Sequence, residues 1–304
     1  MAEAEQAPAR SSAVTALLAF GISPLMSFTR FFRSSALGAV AVSLLIILAV
    51  VAIFAGQIAP YDPLVPDFEA LQDSPSSTYY LGTDFIGRDL LSRVIHGSRI
   101  TLLVAITSIA TGGSLGFVWG VASGYLGGRF DLISQRLLDV LMAFPTVILA
   151  LLLLAAIGAG VGTVILAIAI ISVPNATRVI RSVALSVRET YYVDAARAIG
   201  VSPVRIMARH VAPQCVAPFL VVASAGLGTA VFAEAALSFL GMGIPPPTPT
   251  WGNMLGGVLS NLYKPPWWMV VFPGVAITFT ILAFNLLGDA LRDHLDPRLR
   301  GRLE

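Results

Sequence analysis

"YVDAARAIGVSPVRIMARHVAP", residues Tyr192–Pro213, packs four charged residues, a histidine and a Gly-x-Ser-Pro break into a chain that is only 12% charged over 304 residues. Tyr192, Ala195, Ala196 and Ile199 share the i, i+3, i+4, i+7 spacing of one helical face. Two alanines form its centre, so a partner surface can come close. Gly200 supplies the residue that ends a helix in a left-handed conformation. Ser202 and Pro203 then read as N-cap and first-turn residue of a second short helix carrying Arg205, Arg209 and His210. Pro213 and Pro218 mark the return to apolar sequence. The stretch predicts two short helices at an angle, outside the bilayer, with an apolar small-residue face that an ordinary solvated loop would not need.

The surrounding chain explains why such a segment stands out. It is 56% hydrophobic with a mean hydropathy of +0.83, which places it among all-α polytopic membrane proteins. A bilayer core about 30 Å thick needs about 20 apolar residues in a helix. Uncharged stretches of that kind run over Leu37–Ala59, Ile100–Ser123, Val216–Ala233 (onward to Leu240 past one glutamate) and Val270–Leu287. A further one, Val140–Asn175, is too long for one span, and its Gly158–Gly162 turn signal divides it into two. Six transmembrane helices are therefore expected.

Arginines orient them. Most of the 19 basic residues fall in the N-terminal tail, the Gly124–Arg136 loop, the Arg178–Arg209 segment and the C-terminal tail, which lie on one side if six helices alternate. The positive-inside rule makes that side, and both termini, cytoplasmic. Residues 1–36 are then a cytoplasmic tail with an interfacial helix, and 37–304 the transmembrane domain. Within it, 60–99 and 241–268 are extracytoplasmic loops, 181–215 is a cytoplasmic loop and 292–304 a cytoplasmic tail. The start, MAEAEQAPAR, lacks the basic n-region of a cleaved signal peptide, so the first span is expected to serve as signal anchor. The net charge of +2 offers nothing for nucleic acid, and a single cysteine, Cys215, excludes an internal disulfide or a thiolate cluster.

Other positions carry physical signals of their own. Gly112, Gly116, Gly120 and Gly124 recur every fourth residue, a smooth ridge for close helix approach. Gly112–Gly116 also matches Gly-x-Ser-x-Gly, but a nucleophile elbow needs a strand-to-helix turn, and this stretch is inside a span. Glu234 is the one ionisable residue deep within a span. An unpaired charge there costs on the order of 3 kcal/mol on insertion scales, so Glu234 faces protein or pore, as a structural hydrogen bond or part of an outer gate. Asp84 with Arg88 and Asp89 with Arg93 are i,i+4 pairs with the acid first, backed by Ile86, Leu90 and Val94. They predict an amphipathic helix at the outer interface. Pro245–Pro247, Pro249 and Trp251 predict a stiff extended outer loop, a spacer or a peptide groove. Asp289, Arg292, Asp293 and Asp296 end the sixth span, either fixing its depth or meeting a partner.

Asp194-Ala-Ala-x-x-x-Gly200 followed by Pro213 resembles the EAA loop of binding-protein-dependent ABC importer permeases, with aspartate for the usual glutamate, and with His210 and Ala212 where isoleucine and leucine are common. Leu81-Gly-Thr-Asp84-x-x-Gly87-Arg-Asp89, the Gly241–Trp251 segment and Asn285–Pro297 resemble the C-type subunit of dipeptide, oligopeptide and nickel importers. The resemblance implies a type I ABC importer transmembrane domain in a bacterial inner membrane. Tyr192, Asp194, Ala195, Ala196, Gly200, Arg205, His210 and Pro213 would form the helix that docks on the ATPase. It implies a sister permease, one or two ABC ATPase subunits that bind ATP and Mg, an extracytoplasmic substrate-binding protein, and a peptide as cargo. It also implies that the outer loop with Asp84, Arg88, Asp89 and Arg93 helps cover the pore and meet the binding protein; Trp251 is a further outer-loop candidate. A nickel or other small-solute importer is the alternative within the family. A secondary transporter would need inverted repeats and broken, charge-bearing helices, which this sequence lacks. No phosphate loop surrounds Lys264, the three histidines lack metal-ligand spacing, and no catalytic cluster is visible.

Overall fold

The computed structural model describes residues 36–295; the expected N-terminal tail with its interfacial helix, and Asp296 with the end of the C-terminal tail, lie outside them. The described residues fold into eleven α-helices with one π-helical turn. Five helices are long and apolar enough to cross a membrane, and a bent pair can supply a sixth crossing.

α1 (Ala36–Ile53) is apolar all round and is followed by the single turn α2 (Ala55–Ile58). α3 (Leu90–Leu126) has 37 residues, about 55 Å at 1.5 Å per residue, so it projects well beyond the hydrocarbon layer. That length overturns the expected interfacial helix before the second span. Leu90 and Val94 belong to the spanning helix itself, and Asp84–Arg88 belong to the turn that precedes it. Asp89 is the N-cap of α3: one carboxylate oxygen accepts from the Ser92 amide at 2.8 Å and from its hydroxyl at 2.6 Å.

Glycine ends α3, and α4 (Gly128–Met142) leads through a break at Ala143–Pro145 into α5 (Thr146–Ile157), bent by 86°. α5 spans only about 18 Å with its 12 residues, so this pair forms a corner rather than one straight helix. Pro145, which has no amide hydrogen to donate, stands where the chain turns. The Gly158–Gly160 turn separates α5 from α6 (Val161–Arg188), as its composition predicted.

α7 (Tyr191–Ala198) and α8 (Pro203–Ile206) follow. α8 does not stop at Pro213. It passes through a π turn, Met207–Val211, into α9 (Ala212–Phe239), so the second short helix and the following apolar helix form one rod. Residues 245–250, expected as a stiff extended loop, are turns and irregular chain, and α10 (Trp251–Asn261) follows them, its start set by a reciprocal capping box of Thr250 and Asn253. α11 (Trp267–Leu295) completes the bundle and carries Asp289, Arg292 and Asp293 on its last turns.

The core has three apolar clusters. Val104, Ile109, Leu154, Val164, Ile168, Val231 and Phe284 fill the middle of the bundle. Val121, Tyr125, Ile180, Ala184, Val193, Ile206 and Val211 close one end, and Leu90, Trp251 and Met254 the other. The glycine ridge packs against α6. A Cβ on Gly116 would lie 2.7 Å from the Ala176 Cβ, on Gly120 2.8 Å from the Ile180 Cβ, and on Gly124 2.6 Å from the Ala184 Cβ. Gly112 meets Ala169 and Ser172 in the same way. Real side-chain carbons do not approach so closely, so the ridge holds α3 and α6 at backbone distance.

Candidate functional site

The segment between α6 and α9 is built around Gly200, whose φ is +79°. Val201 donates its amide to the Ala196 carbonyl at 3.1 Å and Gly200 to the Arg197 carbonyl at 3.0 Å. Those two bonds are a Schellman ending, and the left-handed glycine sets the direction in which α8 departs. Ser202 precedes α8 as its extended N-cap residue, with no side-chain bond to the helix. Asp194 pairs with Arg197 at 3.0 Å, and Arg197 lies over the Tyr125 ring at 5.2 Å, tying α7 to the end of α3.

Burial divides this segment differently from the periodicity. Ala196 is not on the open face: with Val193 and Ile206 it is buried against the Val121, Tyr125, Ile180 and Ala184 cluster. The open side instead shows Tyr191 (94% exposed), Ile199 (80%) and Val204 (70%), with Ala195, Arg205 and Pro213 also exposed. Tyr192 is 45% exposed, with its ring 6.2 Å from that of His210. Two rigidly anchored helices thus present large apolar side chains away from the bundle.

At the opposite end of the bundle, the 81–89 motif is a tight hairpin closed by an antiparallel bridge between Thr83 and Asp89. One Asp84 oxygen accepts from the Ile86 and Arg88 amides at 3.0 Å; the other meets Arg88 Nε at 2.7 Å and Arg93 Nε at 3.5 Å. The Asp84–Arg88 pair exists on a turn rather than a helix. Asp89 and Arg93 are not partners, because Asp89 caps α3 and Arg93 reaches Asp84 and the Pro63 carbonyl. All four side chains are buried, none a solvated face. Trp251 is buried too and donates its indole hydrogen to the Val94 carbonyl at 2.9 Å, clamping α10 to α3.

Nearby, Tyr79 donates to the Asp67 carboxylate at 2.7 Å. That bond pushes the phenol up to about 12 and holds the carboxyl below its ordinary value.

Glu234 is fully buried where α3 and α9 approach α10. It accepts from the Thr101 hydroxyl at 3.2 Å and the Ser238 hydroxyl at 2.8 Å, and it has no ion-pair partner among the described residues. It faces protein, as its cost in lipid requires.

A cavity of about 340 Å³ opens between α3, the α4–α5 corner, α6 and α9, with apolar walls that include Ile109, Phe144 and Phe219. Thr146, Ser172, Asn175 and Thr229 contribute its polar groups. Asn175 is exposed and its side-chain amide makes no hydrogen bond among the described residues. Sequence reasoning passed over this residue, although an amide one position after Pro174 in an apolar span was its signal. It also passed over Arg181 with Asp131 (2.5 Å) and Arg178 with Asp139 (2.5 Å), which bind α4 to α6. Among the described residues no group of histidine, cysteine or carboxylate side chains could hold a metal ion.

Residues 116–301 match the model of binding-protein-dependent transport system inner membrane components, and residues 23–76 that of the N-terminal TM domain of oligopeptide transport permease C. The glutathione transport system permease protein GsiD of Escherichia coli O1:K1 is 41% identical over 279 residues, covering 91% of this chain and 92% of that protein. The protein of the same name from Shigella boydii serotype 4 is 40% identical with the same coverage. A chain of the MetNI methionine ABC transporter in an inward-facing conformation has a similar fold, with TM-score 0.55 and 17% identity over 67% of this chain and 97% of that one. The chain therefore belongs to the binding-protein-dependent transport system inner membrane components: it is a multi-pass, non-catalytic permease subunit of an ABC importer, whose ATP hydrolysis resides in a separate subunit.

Proposed function

We propose that this permease forms half of a pore for di- and oligopeptides, glutathione-sized ones included, and that Tyr192–Pro213 couples it to the ATPase. A sister permease would supply the other half. One or two ABC ATPase chains would bind ATP and Mg on the cytoplasmic side, where both termini lie, and an extracytoplasmic protein would deliver the peptide. The substrate class rests on the family match and on the glutathione permeases that resemble this chain.

The observation that carries the coupling role is the exposure of Tyr191, Ile199 and Val204 on helices whose other side is locked into the bundle. Apolar area of this kind gains about 25 cal/mol per Å² when covered. Its rigid backing lets motion of a covering subunit reach α3 and α6 through Val193, Ala196 and Ile206, and α9 directly through the π turn. The cavity beneath supports the pore role: an unpartnered Asn175 amide facing hydrocarbon would be costly, whereas facing a peptide path it can meet peptide groups.

The test uses Ile199→Asp, which places a charge on the open face, and Gly200→Val, which forces a β-branched residue into a left-handed conformation. Both variants should insert and pair with the sister permease. ATPase copurification, or stimulation of hydrolysis by peptide-loaded binding protein, should fall several-fold. Wild-type values for both variants would show that the segment is not the coupling element.

A further inference from the structure

α4 is amphipathic with its polar side turned inward. Asp131 faces Arg181 and the Ser123 hydroxyl, Asp139 faces Arg178, and Ser134 and Leu138 are buried. Its outward arc shows Phe130, Ile133, Leu137 and Val140, between 46% and 66% exposed. At 100° per residue, Arg129 and Arg136 lie at one edge of that same arc, between Val140 and the exposed Leu132. Arg129 is exposed and has no ionic or hydrogen-bond partner among the described residues. Arg136 has a side chain 79% exposed; its nearest carboxylate, Asp139 at 3.9 Å, is already held by Arg178.

Between this arc and α3 runs an apolar groove of about 490 Å³, walled by Leu115, Val118 and Trp119 on one side and Phe130, Ile133 and Leu137 on the other. Trp119 is half-buried in the wall, and its indole hydrogen has no acceptor among the described residues.

We infer that this groove holds an acyl chain of an anionic phospholipid of the cytoplasmic leaflet, with the phosphate between Arg129 and Arg136. The apolar walls take hydrocarbon. The two guanidinium groups, one without a partner and the other only weakly paired, lie two turns apart on the same arc and supply charge of the sign that leaflet's headgroups attract. Trp119 supplies the amphipathic ring characteristic of the membrane–water boundary. A protein partner covering the same arc would bury two guanidinium groups and would have to bring carboxylates to meet them. The inference rests on the cytoplasmic placement of the α3–α4 junction, which shares its end of the bundle with α7.

The intact importer, purified and exchanged into detergent, would be titrated with phosphatidylglycerol or phosphatidylcholine carrying dibrominated acyl chains. Quenching assigned to Trp119 is the difference between wild type and Trp119→Phe. Phosphatidylglycerol should quench at a concentration roughly ten- to thirtyfold lower than phosphatidylcholine, the preference two surface arginines supply. Arg129→Gln with Arg136→Gln should erase the preference while both lipids still quench, and the paired lysine substitutions should keep it. Ala122→Leu, at the groove wall, should weaken quenching by either lipid. Equal quenching by the two lipids in wild type would overturn the inference. So would absence of quenching together with Ile133→Cys cross-linking to the sister permease, which would show that protein covers the groove.

Discussion

Replacing Gly120 by alanine adds one carbon, and the structure says where it goes. That Cβ would sit 2.7 Å from the Thr177 carbonyl oxygen and 2.8 Å from the Ile180 Cβ. Carbon–carbon contact is comfortable from about 3.5 Å, so α3 and α6 must part by about 0.7 Å at this level. A gap of that size forfeits about a quarter to a half of each dispersion contact along the seam, and over-packing of this kind costs about 1–3 kcal/mol. Alanine also favours the helix by about 1 kcal/mol over glycine, which would blur a single measurement. Gly113 removes the ambiguity. It lies on the same helix one residue past Gly112, and its Cβ would meet the Phe219 ring at 3.4 Å and an Ile109 methyl at 3.7 Å, both ordinary contacts. The propensity gain is common to both variants, so Gly120→Ala minus Gly113→Ala isolates the over-packing cost. In thermal melting of the purified importer complex, Gly120→Ala should melt several degrees below Gly113→Ala, at about 2–4 °C per kcal/mol for a chain of this size. Gly116→Ala added to Gly120→Ala should cost less than the sum of the two, because the helices have already separated. Equal melting of Gly113→Ala and Gly120→Ala would refute the backbone-distance seam.

Glu234→Gln keeps an acceptor for Thr101 and Ser238 and should assemble and melt close to wild type. Glu234→Leu strands both buried hydroxyls and should cost about 1–3 kcal/mol for each left unsatisfied; equal damage from Gln would mean that the charge itself holds the site. In the loop before α3, the Tyr79 phenol, raised to about 12, keeps its proton in the folded state at a pH where the unfolded chain has lost it. Its contribution is therefore complete below about pH 10 and disappears as pH rises to about 12, whereas that of Asp67, whose value is lowered, is lost as pH falls below the ordinary carboxylate range. Ultraviolet titration should show one tyrosine ionising last, near pH 12, and Asp67→Asn should bring that ionisation down; an unchanged late titration would remove the Tyr79–Asp67 bond from the account.

The sequence by itself determined whatever depends on composition and short-range geometry. The apolar runs of four spans, the Gly158–Gly162 break and the left-handed Gly200 are local properties of the chain, and each stands where the sequence placed it, whereas the run after Val140 is broken at Pro145. The four-residue glycine period specified a close helix contact for the same reason. Only the tertiary structure decided which surfaces meet. It showed that the ridge packs on α6, that Ala196 faces inward while Tyr191 and Ile199 face out, and that Asp84 serves both Arg88 and Arg93 from a turn. An i,i+4 acid–base spacing suits a helix, but the Asp84 carboxylate binds the Ile86 and Arg88 amides instead, and those local bonds close a hairpin. The bend at Pro145 and the π turn before α9 were equally hidden, because a proline or a charged run states that regular structure is strained there. It leaves open how neighbouring helices will absorb the strain. A buried side chain's partner depends on residues far away in sequence, as Thr101 and Glu234 are, and only the packed bundle brings them within hydrogen-bonding distance.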